Sequence, residues 1–137
     1  LMLIVLDTNC LIQVLPQKAK FRALYDALLN GELSLALTTE IIAEYEEVLN
    51  IFFESRTLGG NVCRVLLELP FTQRISIYYN WHLISADPDD NKYVDCAVAS
   101  NADYIVTNDS HFKILDKVDF PKVNCVSLAD FMAILKP

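Results

Sequence analysis

Short apolar runs that stop abruptly at polar residues divide the chain. Residues 1–6 are all apolar and end at Asp7, and the largely apolar run 104–107 ends at a polar cluster. An apolar run without alternation is typical of a strand covered on both faces, as in a parallel sheet. We therefore predict strands over residues 1–6, 33–37, 104–107 and 123–126.

Between these runs, apolar residues recur every three or four positions, which is the spacing of a helix with one buried face. Thr38-Thr39 supplies hydroxyl caps for one such helix, and Asp87-Pro88 supplies a cap and a first-turn proline for another. Gly59-Gly60 predicts a turn. We predict helices over residues 18–30, 40–54, 62–69, 87–101 and from 127 onward, with a strand or extended connector over 74–79.

Strands that alternate with helices indicate an α/β fold, a three-layer α/β/α domain around a mainly parallel central sheet, because parallel neighbours need crossover helices. We expect one such domain over residues 1–137. Ligands of these sheets bind outside the carboxyl ends of the strands. Asp7 and Asp109 each follow a predicted strand, and helices begin near Glu40 and Asp87 at the same edge. The pattern thus brings carboxylates from separate segments to one rim.

Composition narrows the class of protein. The chain has 137 residues, 53% of them apolar, and this excludes disordered and collagen-like chains. No apolar run approaches the roughly 20 residues that cross a bilayer, and the first one reaches Asp7 too soon for a signal peptide. The four cysteines lie far apart and form no zinc-binding pattern with the two histidines. We expect a soluble, cytoplasmic protein with reduced cysteines.

The charge balance bears on possible partners. Eighteen acidic residues against 11 basic ones give a formal charge of −7, which disfavours nonspecific binding of nucleic acid. A polyanionic partner would need a basic patch or bound metal cations. The basic run nearest the predicted rim consists of Lys18, Lys20 and Arg22, which are candidates for contact with a phosphate backbone.

The clustered carboxylates point to a metal site. Close carboxylates repel one another unless a proton or a cation intervenes, and all-oxygen ligands favour Mg²⁺ or Mn²⁺. Such an ion can acidify a bound water and neutralise charge on a phosphodiester. On the helix that follows Thr38, Glu44 is nearer the rim than Glu46. On the later helix, Asp90 and Asn91 are nearer than Asp95, which lies about one turn further along.

Four phrases of the sequence resemble the PIN-domain ribonuclease family, particularly the VapC-like toxin components of prokaryotic toxin–antitoxin systems. The first is the apolar strand that ends in Leu6-Asp7-Thr8-Asn9, and the resemblance extends over nearly the whole chain. The order and spacing of the phrases are more specific than any one of them. The other three phrases occupy residues 39–49, 87–93 and 102–109.

The resemblance implies an endoribonuclease that uses Mg²⁺ or Mn²⁺, with a protein antitoxin as partner and a homodimeric assembly. Asp7, Glu44 and Asp109 match the family's first, second and fourth acids. The register against the last phrase places the third acid near Asn91, whereas the Asp-Pro-Asp-Asp phrase favours Asp90. We predict Asp90, with Asn91 and Asp95 as alternatives. The residues expected to orient the carboxylates or bound water are Asn9, Thr107 and Asn108.

Simpler roles and other functions compete with this interpretation. Asp7 could cap a helix and Asp109 could occupy a turn. His111 is assigned no catalytic role, and the aromatic segment around Trp81 is better explained by packing than by stacking on bases. One alternative function is a catalytically inert PIN-like binding module. A Mg-dependent phosphatase or phosphotransferase is less favoured, because Asn9 stands where such enzymes usually have a second aspartate.

Overall fold

The computed structural model describes residues 1–136. The described chain forms five strands, six α-helices and two 3₁₀ helices. In chain order, the elements are β1 (Leu3–Leu6), α1 (Thr8–Val14), α2 (Arg22–Leu29), β2 (Ser34–Leu37), α3 (Thr39–Phe52), α4 (Leu58–Glu68), β3 (Gln73–Arg74), a 3₁₀ helix (Pro88–Asp90), α5 (Asn91–Ser100), β4 (Tyr104–Val106), a second 3₁₀ helix (Ser110–Lys117), β5 (Cys125–Val126) and α6 (Leu128–Leu135).

The strands form one sheet in the order β3-β2-β1-β4-β5, with every neighbouring pair parallel. β1 is central: Ile4 pairs with Leu35 of β2, and Leu6 pairs with Val106 of β4. All four residues of β1 are buried, which agrees with its unbroken apolar run. The prediction of an α/β fold with a parallel central sheet is confirmed.

The direction of the crossovers places helices on both faces of the sheet. The connections that carry α1 to α4 step from β1 towards the β3 edge, and the connection that carries α5 steps back across the sheet to β4. Because crossovers between parallel strands are right-handed, these two sets of helices cover opposite faces. After β1 the chain continues to β2 on one side, and after β4 it continues to β5 on the other side. The carboxyl ends of β1 and β4 therefore form the crevice where such folds bind ligands.

Local capping sets where several helices begin. The Asp7 side chain accepts a hydrogen bond from the backbone N–H of Cys10 at 2.8 Å and caps α1. Thr38 caps α3 through the N–H of Ile41, and Ser127 caps α6 through that of Asp130. These caps satisfy N–H groups that have no partner within the helix. The predicted starts of α3 and α6 are confirmed.

Three predicted elements need correction. The helix expected over 18–30 begins only at Arg22, because turns occupy the residues before it. Gly59-Gly60 lies inside α4 rather than in a turn, since close packing against α3 leaves no room for a side chain at Gly59. The strand expected over 74–79 is confined to β3, and residues 75–87 form an irregular connector. The 3₁₀ helix Ser110–Lys117 was not predicted.

The four cysteines are free, and three of them are buried. Among the described residues, no helix combines the length and the apolar character needed to cross a membrane.

Candidate active site

A small recess opens at the carboxyl edge of the sheet, beside the ends of β1 and β4. It has a volume of about 90 Å³. Four segments of the chain contribute to it: the β1–α1 junction, α3, the start of α5 and the segment after β4. We call it the acidic recess, and its lining consists of Asp7, Thr8, Asn9, Glu44, Val48, Asp90, Tyr93 and Asp109.

Asp7 is held rigidly at the base of the recess. Its side chain is 6% exposed, and its two oxygens accept hydrogen bonds from the N–H of Cys10 and the hydroxyl of Thr107. Burial raises the pKa of Asp7, and the charge of Asp109 adds to the rise while the bond from Thr107 opposes it. Asp7 therefore caps α1 and also presents a fixed carboxylate, whose charged form a nearby cation would stabilise.

Glu44 is the best compensated carboxylate of the recess. Thr8 and Tyr93 donate their hydroxyls to Oε2, and the ammonium of Lys92 lies 2.7 Å from Oε1. Burial alone would raise the pKa of Glu44, but these three donors outweigh it and lower the pKa. The three donors come from α1 and α5, so Glu44 also joins α3 to two neighbouring helices.

Asp90 and Asp109 face each other across His111. The His111 Nδ1 atom lies 3.5 Å from Oδ2 of Asp90 and 3.4 Å from Oδ1 of Asp109. Oδ1 of Asp109 also accepts a hydrogen bond from the N–H of His111, so Asp109 caps the second 3₁₀ helix. Among the described residues, the 3.5 Å contact to His111 is the one polar contact of the buried Oδ2 of Asp90, and it lacks hydrogen-bond geometry.

This environment disfavours the charged form of Asp90. Burial raises its pKa to about 6, with further contributions from the charges of Asp109 and Asp87, and His111 opposes the rise. Ligand atoms of Asp87, Asp90 and His111 lie within 4.8 Å of one another. A buried carboxylate oxygen that has only one weak contact and lies next to other carboxylates suits a hard divalent cation. The carboxylates of the acidic recess are thus the type of ligand that Mg²⁺ or Mn²⁺ prefers, and Asp90 belongs both to the recess and to this close group, whereas Asp7, Glu44 and Asp109 lie outside the group.

The other residues singled out from the sequence are distributed differently. Thr107 contacts Asp7, and Asn9 lines the acidic recess. Asn108 accepts a hydrogen bond from the N–H of Leu128 and so holds the start of α6.

Asn91 and Asp95 face away from the acidic recess and hold the 75–87 connector. The side-chain amide of Asn91 bonds to both the N–H and the carbonyl of Ile84, at 2.8 and 2.9 Å. Asp95 accepts a hydrogen bond from the N–H of Trp81 at 3.0 Å. Of the three alternatives for the third acid, only Asp90 lines the recess.

The basic run lies away from the acidic recess. Lys18, Lys20 and Arg22 follow the carboxyl end of α1, the end remote from Asp7. Arg22 is engaged by Asp26 at 2.9 Å and by the carbonyl of Leu15. These residues are absent from the lining of the recess, and their contact with RNA stays a prediction.

Sequence reasoning missed three contributors to the site. His111 was given no role, although a cap at Asp109 directs the chain so that the residue two positions later turns back towards it. Lys92 and Tyr93 lie two and three positions after Asp90, and both reach Glu44. Their positions in the first turn of α5, close to Asp90, are the sequence signal that could have suggested these contacts.

Comparisons with known proteins agree with this architecture. The PIN domain model matches residues 3–111 of the chain. The structure of VapBC2 from Rickettsia felis, bound to a DNA fragment from their promoter, is similar with a TM-score of 0.62 and 17% identity, covering 92% of this chain and 98% of that one. VapBC-1 from nontypeable Haemophilus influenzae gives a TM-score of 0.60 and 15% identity, covering 93% and 99%.

The search of the curated proteins found no match for this chain. At such low identity the two structural likenesses show the fold alone. The family model, by contrast, spans the sheet from β1 to β4 and includes all four carboxylates of the acidic recess. On that match, the chain belongs to the PIN-domain family.

Proposed function

We propose that the protein is a metal-dependent endoribonuclease that hydrolyses RNA phosphodiester bonds, and that it is the toxin component of a toxin–antitoxin pair. The observation that carries the proposal is the convergence of Asp7, Glu44, Asp90 and Asp109 on one recess at the carboxyl edge of a PIN fold. Membership of the PIN-domain family supports a nuclease, and the acidic lining supports a divalent cation as cofactor.

The residues of the acidic recess have different roles in this proposal. Asp7, Glu44, Asp90 and Asp109 would hold Mg²⁺ or Mn²⁺, because all four carboxylates line the recess and hydrogen bonds fix the carboxylate of Asp7. When bound, the ion would acidify a water molecule and neutralise charge on the phosphodiester. Glu44 lies at the same recess, with its charge kept by Lys92. Thr107 orients Asp7, as residues around a metal site commonly do.

Support for a protein partner comes from the structural neighbours, both of which are described as VapBC assemblies. We extend that description to this chain as part of the proposal, together with a homodimeric state and a cytoplasmic location.

The test is cleavage of a long labelled RNA by highly purified protein in Mg²⁺ or Mn²⁺. We expect EDTA, Asp7→Asn and Asp109→Asn each to reduce the cleavage rate by at least about 100-fold, because EDTA removes the ion and each substitution removes a negative charge that would hold it. Asp119→Asn is the matched control, since Asp119 is an exposed aspartate outside the recess. Metal-dependent activity that survives both recess variants would refute this site assignment. A folded protein with no activity would favour the inert binding module.

A further inference from the structure

A second cavity of about 420 Å³ continues from the acidic recess. It shares Asp7, Asn9 and Asp109 with the recess and extends between α1 and α3 to Phe52. We call it the α1–α3 groove. Its lining consists of Asp7, Asn9, Ile12, Gln13, Phe52, Asn108 and Asp109.

The geometry points to a nucleobase subsite: we propose that the α1–α3 groove binds the base of a nucleotide next to the cleaved phosphodiester. Phe52 would be its stacking surface, and the side-chain amides of Asn9 and Gln13 would read its edge. The inference rests on the proposed function, because it requires an RNA strand whose backbone passes the acidic recess.

The position and exposure of Phe52 support stacking. Phe52 is the last residue of α3, and its side chain is 60% exposed although it is large and apolar. Phe53 contacts it edge to face, with ring centroids 4.9 Å apart, and supports the ring from one side. Proteins that bind single-stranded RNA commonly stack unpaired bases on such aromatic rings.

The opposite wall of the groove offers hydrogen bonds without charge. Asn9, Ile12 and Gln13 lie at positions i, i+3 and i+4 of α1, so they share one helix face. Asn9 and Gln13 are exposed, and each amide carries both a donor and an acceptor. An amide can therefore pair with the complementary edge of a base. The apolar side chain of Ile12 lies between them.

The charge of the groove favours a base over a phosphate. The charged groups in its lining are the carboxylates of Asp7 and Asp109, which it shares with the acidic recess. A larger cavity of about 540 Å³ lies near the ends of β2 and β3, but it includes none of the four carboxylates of the recess. A cavity of about 450 Å³ beside β5 shares one residue, Asp109, with the recess, whereas the α1–α3 groove shares three. A strand held at the recess therefore has its broadest continuation in the α1–α3 groove, whose volume suits a small ligand.

Substitutions of Phe52 test the subsite against a matched control. Ile51 precedes Phe52 on α3, is 72% exposed and lies outside the groove lining, so Ile51→Ala removes a similar exposed side chain without touching the groove. We expect Phe52→Ala to lower kcat/KM for a short single-stranded RNA by about 5- to 150-fold, the range measured for a lost base stack. Phe52→Tyr should retain activity, and Ile51→Ala should match the unmodified protein.

Base preference gives a second readout. In a set of RNAs that differ only at the two nucleotides flanking the cut, Gln13→Ala should change the order of preferred bases. Binding of the same RNAs is measured in parallel by fluorescence anisotropy with Ca²⁺ in place of Mg²⁺, because Ca²⁺ also takes oxygen ligands. Phe52→Ala should weaken this binding, and Ile51→Ala should not.

The outcomes separate the two proposals. Cleavage by the unmodified protein together with equal activity of Phe52→Ala and Ile51→Ala would overturn the subsite and leave the nuclease intact. Absence of cleavage would overturn the nuclease and with it a subsite beside a cleaved bond, and the binding comparison would then decide only whether the groove binds an RNA base. A Phe52→Ala variant that binds RNA normally but loses self-association or a protein partner would assign the groove to a protein surface and overturn the base subsite.

Discussion

Asp90 has a carboxyl group in a place where its charge is poorly compensated. Its Oδ2 atom is buried with only a 3.5 Å contact to Nδ1 of His111, and Asp109 and Asp87 add negative charge nearby. The pKa of the group is about 6 in the folded protein, against about 3.9 for an aspartate in an unfolded chain. Between these two values the folded protein binds a proton that the unfolded chain releases. The stability contributed by Asp90 therefore falls as pH rises through this range and stays low above it.

We predict that Asp90→Asn stabilises the metal-free protein. In EDTA at pH 8 the free energy of unfolding should increase by about 1–2 kcal/mol, less than the full linkage value because the carboxyl is partly hydrated. The difference should shrink towards zero at pH 4, where the carboxyl of the folded protein is protonated. Urea denaturation followed by the fluorescence of Trp81 measures both values.

Addition of Mn²⁺ should make the unmodified protein more stable than Asp90→Asn, because the ion stabilises only a folded protein that binds it. The unmodified protein should gain stability with Mn²⁺ concentration, and Asp90→Asn should gain little. Asp89→Asn is the control, since Asp89 is an exposed acid of the same 3₁₀ helix. If the unmodified protein were more stable than Asp90→Asn in EDTA, the charge of Asp90 would not be destabilising and this prediction would be wrong.

At the scale of elements, α3 and α4 pack closely because the first turn of α4 contains Gly59 and Gly60. A Cβ atom at Gly59 would lie 2.2 Å from the backbone carbonyl oxygen of Glu46 on α3, a distance that neither helix backbone can absorb without shifting. At Gly60 the nearest atom is the flexible carboxylate oxygen of Glu46, at 3.2 Å. The packing of α3 against α4 therefore requires glycine at position 59 but not at position 60.

We predict opposite effects for alanine at these two positions. Gly59→Ala should destabilise the protein by about 1–3 kcal/mol, because overpacking forces α3 and α4 apart. Gly60→Ala should be neutral or stabilising by up to about 1 kcal/mol, because alanine favours the helix and the carboxylate of Glu46 can move. Thermal and urea unfolding of both variants provide the measurement, and equal losses would show that the contact at Gly59 does not limit the packing.

Local signals predicted the regular elements that their own residues specify. The run up to Leu6 predicts a buried strand, and Thr38 and Ser127 predict helix starts, because the hydrophobic pattern and the caps act within a few residues. Gly59-Gly60 misled the prediction, since glycine is as common in turns as at close helix contacts. The second 3₁₀ helix was missed because its start depends on the cap at Asp109, which forms only in the folded path of the chain after β4.

At the scale of the whole molecule, the sheet is strongest at its centre. β1 pairs on both sides and is fully buried, whereas the edge strands β3 and β5 have two residues each. Amide hydrogens exchange through local opening where few buried contacts hold the backbone.

We predict that the amides of β1 are among the slowest to exchange and open only with global unfolding. Residues 76–80 of the connector should exchange early, because this stretch has no regular strand or helix hydrogen bonds. Hydrogen–deuterium exchange read by NMR or by peptide mass spectrometry gives the comparison. Faster exchange in β1 than in the peripheral helix α6 would contradict the assigned centre of stability.

The sequence by itself determined the parallel α/β fold and the meeting of Asp7 and Asp109 at one edge. Both follow from chain-local information: unbroken apolar runs mark buried strands, and parallel strands end on the same side of a sheet. The identity of the family follows from the same ordered phrases, and the match over residues 3–111 confirms it.

Only the tertiary structure decided which side chain near the start of α5 enters the acidic recess. Asp90, Asn91 and Asp95 were all compatible with the sequence, but Asn91 and Asp95 bind the backbone of the 75–87 connector, and Asp90 is left to face Asp109. The same holds for His111 between two carboxylates and for Phe52 beside the recess. These placements depend on how distant segments pack against one another, and no local pattern of residues encodes that packing.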